Sequence, residues 1–483
     1  MRLYVGADLG TSSIKLMVCD ESGKLVSEAK KPYELLLPKP CYSEQDPNTW
    51  WESFKQCLRQ ALLGHERDEI RTICVAGQMH GLVALDENNE VIRNAILWND
   101  GRSDKETSYL NEVIKKDKLC DLTGNYAFAG FTATKLLWMK ENEKELFKKI
   151  KHILLPKDYI VYKLTGEYST DYSDASGTLL LDVKNKKWSK EMCDIIGINT
   201  SILPDLHESY AVVKTVSDKV ADELSINKNI KVVAGAGDNA SAAIGTGCIN
   251  NNDCNISLGT SGTVFLSTDK FVDIREHPIH SFAHANGRHH LMGCVLSAAS
   301  AYMWWVERIL CSSYENEEKK LNALVGNNQI LFAPYLMGER CPYNDTNVRG
   351  AFLNLSLNTS KEEMTLSVLE GVSFALNDCI ELIRRKGFNI QNITLCGGGL
   401  KTPVWPKLLS NIMNVSVYKI KTEQGPAYGA VILGLVADKK FASLDEACSS
   451  LIEKELIETP DNNLVKKYAN LYKNYQKCYE RLK

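Results

Sequence analysis

Asp8-Leu9-Gly10-Thr11-Ser12 and Ser257-Leu258-Gly259-Thr260-Ser261 are nearly the same phrase, written once near the start of the chain and once just past its middle. Each copy follows an apolar run (Leu3 to Val5; Asn255-Ile256) and precedes another (Ile14 to Val18; Val264 to Leu266), which predicts strand, tight glycine turn, strand. Glycine and small hydroxyl residues at such a turn let backbone N–H and side-chain O–H groups converge on an anion. Two copies half a chain apart predict two similar domains, each offering a phosphate loop to one shared cleft. The copies differ at their first residue. Only Asp8 can give a carboxylate to a metal ion, as expected if both loops grip one magnesium nucleotide asymmetrically.

A chain of 483 residues exceeds what one hydrophobic core usually serves, which agrees with two domains. With 44% hydrophobic and 24% charged residues, the composition is that of a soluble globular protein. The formal charge of −3 and the absence of a Lys/Arg tract argue against nucleic acid and membrane surfaces as partners. Met1-Arg2-Leu3-Tyr4-Val5 runs straight into the first loop and reads as having no signal peptide, and the longest apolar run, Ala427 to Ala437, is too short to span a bilayer. Fifteen scattered cysteines without a C-x-x-C read as reduced, mostly buried thiols, so a cytoplasmic location is expected.

Further strands are predicted at Leu25–Ala29, Thr72–Ala76, Lys231–Ala234 and Asn392–Cys396. Asp46-Pro47 predicts a helix start, and Ser360 with Glu363 forms a capping box for a long helix stopped by Gly387. Between Gly77 and about Leu206 a lobe of mixed helices is expected. A last helix opening at Gly425-Pro426 presents Ala427, Gly429, Ala430 and Gly434, small enough for close helix contact; an interdomain hinge and plain tight packing both fit. The repeat alone sets the domain boundary near Gly247.

Two patterns suggest other chemistry and are set aside. Gly235-Ala236-Gly237-Asp238-Asn239-Ala240 matches a dinucleotide fingerprint, but Asp238 would aim a carboxylate at the pyrophosphate. His277, His280, His284, His289 and His290 have metal-like spacing, but Pro278 and Gly287 break any shared helix, and structural or surface roles fit better. There is no Walker A sequence either.

In order along the chain stand Asp8-Leu9-Gly10-Thr11-Ser12, Trp50-Trp51, Gly77-Gln78-Met79-His80-Gly81, Trp98-Asn99-Asp100-Gly101-Arg102, Gly130-Phe131-Thr132-Ala133-Thr134-Lys135, Leu155-Pro156-Lys157-Asp158-Tyr159, Gly237-Asp238-Asn239-Ala240, the second loop, and Gly397-Gly398-Gly399. This series resembles the FGGY family of carbohydrate kinases, most closely its xylulokinases. The resemblance implies an α/β fold of two ribonuclease H-like, actin/hexokinase-type domains flanking a central cleft, residues 1–247 and 248–483. It implies transfer of phosphate from ATP, with Mg2+, to the terminal hydroxyl of a sugar, D-xylulose being the expected substrate. Ribulose, gluconate and glycerol are the alternatives, and an actin-like nucleotide-dependent conformational protein or a non-catalytic sugar-binding regulator are the non-enzyme readings.

By the same resemblance Asp238 is the general base for the sugar hydroxyl, and Asp8 is the metal-side aspartate. Thr11, Ser12 and Lys15 would line the first phosphate loop, Gly259 and Thr260 the second. Gly397, Gly398 and Gly399 would lie against adenosine. Gln78, Met79, His80, Trp98, Asn99, Asp100 and Asn239 would form the sugar pocket beside the base. Relatives commonly have Thr where this chain has Cys341 in Gly338-Glu339-Arg340-Cys341-Pro342, and Phe-Gly-Leu where it has Leu353-Asn354-Leu355. The sequence leaves the oligomeric state open, a homodimer among the options.

Overall fold

In the computed structural model, which describes residues 2–65, 67–275, 278–421 and 425–483, two large mixed sheets repeat one topology. The first is built from β1 (Leu3–Leu9), β2 (Ser13–Asp20), β3 (Leu25–Pro32), β4 (Ile70–Gly77), β5 (Val212–Thr215) and β6 (Lys231–Gly237), in the order β5-β6-β4-β1-β2-β3. The second comprises β7 (Cys254–Leu258), β8 (Gly262–Thr268), β9 (His280–Ala283), β10 (His289–Val295), β11 (Asn392–Cys396), β12 (Ser416–Ile420) and β13 (Lys454–Glu458). Its order is β9-β10-β8-β7-β11-β12-β13. In each, an antiparallel meander of three strands (β1-β2-β3; β7-β8-β10) is extended from its first strand by two parallel ones (β4 and β6; β11 and β12). The repeated phrase is the β1–β2 turn in the first sheet and the β7–β8 turn in the second.

Helices α1 (Pro47–Ala61), α2 (Pro156–Thr165), α3 (Asp238–Gly245), α4 (Lys361–Arg385), α5 (Val404–Met413) and α6 (Gly425–Ala437) flank the sheets. Asp46 caps α1 by accepting from the Asn48 N–H, with Pro47 in the first turn, and Ser360 and Glu363 close the reciprocal capping box of α4. Between β4 and β6 runs the expected lobe, whose helices are joined by short two-stranded sheets such as Val83–Leu85 with His152–Leu154. Thirteen of the fifteen cysteines are buried; Cys41 and Cys311 are exposed. Among the described residues no helix is long and apolar enough to cross a membrane.

Alternation along β1 sorts its two faces. Leu3, Val5, Ala7 and Leu9 pack with Trp50, Phe54 and Leu58 of α1 and Tyr159 and Ile160 of α2. Tyr4 and Gly6 face the other way, onto α6, although α6 follows the second sheet in sequence. The approach is close enough that a Cβ on Gly6 would lie 2.1 Å from the Ala427 carbonyl oxygen. Where α6 meets α3, a Cβ on Gly429 would lie 1.8 Å from the Ser241 carbonyl oxygen. The small residues of α6 therefore serve tight packing against both the first sheet and α3. Just past α6, the buried Asp438 carboxylate is clamped by Lys231 (2.7 Å), Arg71 (3.2 Å) and the Tyr4 hydroxyl (3.1 Å), all from the first sheet.

Candidate active site

Three parallel strands of the first sheet finish side by side. The register aligns Leu9 with Gly77 and Gly77 with Gly237, so Asp8 and Asp238 stand on either side of the turn leaving β4. Two strand spacings, about 10 Å, separate the strands that carry them. This carboxyl end of parallel strands is where α/β sheets place ligands. Asp238 is the first residue of α3, with Gly237 in the capping position, so it does not cap its own helix.

Burial, then the charge of Asp238, raises the Asp8 carboxyl to about 7, against the pull of Lys15 and Lys30. Burial raises Asp238 to about 6, opposed by hydrogen bonds from Asn239. Asn239 supplies both, from its backbone N–H at 2.7 Å and its side-chain amide at 2.9 Å. Lys15 lies directly across from Asp8 on β2, and its ammonium pairs with Glu28 at 2.9 Å. Desolvated carboxylates with uncompensated negative charge are hard oxygen donors suited to Mg2+ shared with phosphate oxygens. The residues present fit such an ion.

The turn after β4 builds the wall between the carboxylates. His80 has left-handed backbone (φ 68°), and its carbonyl is held by Lys135 Nζ at 2.7 Å and Thr132 Oγ1 at 3.0 Å. Its Nδ1 faces the Gly177 carbonyl at 2.7 Å, and its ring stacks on Phe131. Burial, foremost, lowers the imidazole to about 3, so it is neutral. Nδ1 therefore carries the hydrogen, and Nε2 is left as an acceptor. Met79 is buried, with its side chain against the positions of Gly237 and Gly177.

Gln78 ties this wall to the first loop. The Trp98 indole donates to Thr11 Oγ1 (2.9 Å), Thr11 Oγ1 donates to Gln78 Oε1 (3.2 Å), and the Gln78 amide donates to Gln45 Oε1 (3.1 Å). Gln45 returns to the Thr11 carbonyl at 2.6 Å and accepts from the Trp50 indole at 3.0 Å. With its hydrogen committed to Gln78, the Thr11 side chain has none to offer a phosphate. Gln45 has no sequence signal of its own; only the fold brings it here. Asn99 is exposed and accepts from Ser43 Oγ at 2.8 Å. Asp100 differs from its expected sugar-facing role: its carboxylate is fully buried and saturated by Arg102 (2.8 and 2.9 Å) and the Ser43 N–H (2.6 Å), so it braces the loop.

Both repeat turns direct their carbonyls inward. In the first, Gly10 accepts from the Tyr33 hydroxyl, Thr11 from Gln45 and Ser12 from the Tyr33 N–H. In the second, Gly259 accepts from the Ala299 N–H, and Thr260 from Ala298, Ser300 and the Ser300 hydroxyl. The N–H groups of Thr11, Ser12, Thr260 and Ser261 have no partner among the described residues, and Ser12 and Thr260 are exposed. Each turn thus leaves adjacent N–H donors unpartnered, the arrangement an anion nest requires. Of the three glycines after β11, Gly397 and Gly399 are required by contact with Leu258, where Cβ atoms would lie 2.7 and 2.6 Å from its atoms, whereas Gly398 borders open space. Only Gly398 leaves room for a ligand.

His280, His289 and His290 sit on β9 and β10 and His284 in the turn between them, stacked among Phe128, Phe265, Phe271 and Phe282, so the cluster is an aromatic seam between strands; His277 lies outside the described residues.

Comparison with known proteins agrees with this geometry. Residues 3–245 match the N-terminal domain, and residues 254–437 the C-terminal domain, of the FGGY family of carbohydrate kinases. The chain is 36% identical to the xylulose kinase of Bacillus subtilis (strain 168), over 100% of this chain and 98% of that protein, and 34% identical to the xylulose kinase of Escherichia coli (strain K12), over 99% of each. A crystal structure of a xyloylose kinase from Brucella ovis superposes with a TM-score of 0.93 at 35% identity, over 100% of this chain and 99% of that one. With two family domains matched in order and relatives aligned end to end, this chain belongs to the FGGY family of carbohydrate kinases and has their two-domain, actin/hexokinase-like fold.

Proposed function

We propose that the chain transfers the γ-phosphoryl group of ATP to the terminal hydroxyl of D-xylulose, giving D-xylulose 5-phosphate and ADP. One observation carries this reading: His80, with Nε2 left as an acceptor, follows the strand that lies between the two strands bearing Asp8 and Asp238. Names of full-length relatives supply the choice of sugar.

In this reading Asp238 accepts the proton of the attacking hydroxyl, with Asn239 holding one carboxylate oxygen in place. His80 Nε2 accepts a hydrogen bond from a sugar hydroxyl, and the Trp98 indole and Asn99 complete the wall. Asp8 would hold a magnesium ion that, when bound, neutralises triphosphate charge. Thr11, Ser12, Gly259 and Thr260 receive phosphate oxygens through backbone N–H groups, with Lys15 as nearby positive charge, while Gly398 lets adenosine approach the backbone. Residues 1–247 hold the base, the sugar wall and the first loop; residues 248–483 hold the second loop and the adenosine turn.

ADP release measured in a coupled assay across D-xylulose, D-ribulose, hexuloses, gluconate and glycerol tests the proposal. The highest kcat/KM is expected for D-xylulose. A higher value for another acceptor reassigns the substrate, and no acceptor-dependent ADP release rejects the kinase activity.

A further inference from the structure

The end of β6 pairs with β4 only after an irregularity in the ladder. Its pairing with β4 shifts register between Val233 and Ala236, and Gly235 within the shift is left-handed (φ 78°). A second anchor for this end comes from residues 171–177, beyond the lobe's helix α2. The Gly237 N–H, one residue before Asp238, donates to Ser173 Oγ at 3.1 Å. Ser173 Oγ donates to Asp171 Oδ2 at 2.5 Å, and Ser209 Oγ donates to the same oxygen at 2.7 Å. The other Asp171 oxygen meets the Lys157 ammonium at 3.0 Å. Lys157 pairs with Asp158 at 2.6 Å and donates to the Ala234 carbonyl at 3.2 Å. The strand is thus held within its irregularity by Lys157 and after it by Ser173.

The same short segment reaches two other places. Gly177 gives its carbonyl to His80 Nδ1, and a Cβ on Gly177 would fall 2.4 Å from that nitrogen. Ser176 Oγ accepts from the Ala283 N–H of β9 at 3.0 Å, in the second sheet. Lys157, Asp158, Asp171 and Ser173 are fully buried. Burying so many charges costs more than their attraction returns unless geometry is tightly satisfied, so this cluster is poorly explained as a source of stability. The hydrogen bonds that Asp171, Ser173, Ser209 and Lys157 do make specify one arrangement of the segment, while Asp174 beside them is equally buried and reaches only the Lys157 ammonium, at 3.9 Å.

We infer that residues 171–177 are a positioning element, in which Ser173 sets the strand end that aims Asp238 while Gly177 sets the imidazole of His80. Its consequence for rate rests on the kinase reading above. Base and sugar-facing histidine are then referred to one rigid segment, and neither can shift without the other.

Ser173→Ala tests this. A misplaced base should lower kcat by roughly 10- to 100-fold, with the sugar KM within about threefold and the thermal midpoint preserved; Ser173→Thr, which keeps the hydroxyl, should recover most of the loss. Hydrogen exchange of the Gly237 amide should quicken by about tenfold or more as its acceptor is lost, with Ile73 and Val75 of β4 unchanged. A Ser173→Ala enzyme with kcat within twofold of the unaltered protein overturns the inference. If the unaltered protein phosphorylates no acceptor, the kinase reading fails by itself. The positioning claim is then decided by Gly237 exchange: acceleration confined to that strand end supports it, and an unchanged rate overturns it.

Discussion

Two carboxylates in a partly desolvated site carry the proposed chemistry at the residue scale, and they can be tested separately. Asp238→Asn keeps size and hydrogen-bonding shape but removes the proposed proton acceptor, so kcat should fall about 10²- to 10⁴-fold with sugar binding retained, measured by steady-state kinetics and sugar titration. Because burial raises Asp238 to about 6, kcat/KM for the parent enzyme should decline as pH falls through that region. Asp8 concerns stability. A carboxyl whose folded value, about 7, lies above its ordinary one favours folding when protonated, and that contribution is lost as pH rises through 7. Asp8→Asn should therefore raise the thermal midpoint of the ligand-free protein more at pH 8 than at pH 5, a difference scanning fluorimetry can read. Asp8 and Asp238 could be singled out as candidates in the sequence because each sits in a local motif. Ser173, Gly177 and Gln45 were not, since their meaning arises only when distant segments meet at Gly237, His80 and Thr11.

Elements were most legible where local signals decide them. Strand β11 runs over the expected Asn392–Cys396, and α4 begins at the Ser360 cap. Strands β1 and β6 run longer than their apolar cores suggest, to Leu9 and Gly237, because parallel pairing with β4 extends them into residues of poor strand propensity. For α6 the small residues signalled close contact without naming the partner, and the partners are the first sheet and α3. Gly429→Ala places a methyl into the Ser241 carbonyl, and overpacking of this kind costs about 1–3 kcal/mol or more. The expected result is a lowered thermal midpoint together with reduced kcat, since α3 begins with Asp238. An unaltered midpoint would show that the α3–α6 crossing can widen freely.

Across the whole molecule, one sheet topology is used twice, with the proposed sugar-facing groups after β4 and the proposed adenosine-facing glycine after β11. Both nests can serve one nucleotide only if the two halves close on it, and ligands produce closure only by binding the closed form better. Small-angle scattering should show a smaller radius of gyration with sugar plus a non-hydrolysable ATP analogue than with neither; an identical radius would separate the purposes of the two loops. The packing of α6 on Gly6 bears on how the protein is made. The face of the first sheet bearing Tyr4, Gly6 and Cys74 receives its cover from a helix roughly 190 residues downstream of α3. At ribosomal speeds of about 5–20 residues per second, that apolar face waits some 10–40 s after α3 is synthesised. The nascent first half is therefore an unfinished body with an uncovered apolar face, the kind of intermediate prone to aggregate until α6 arrives.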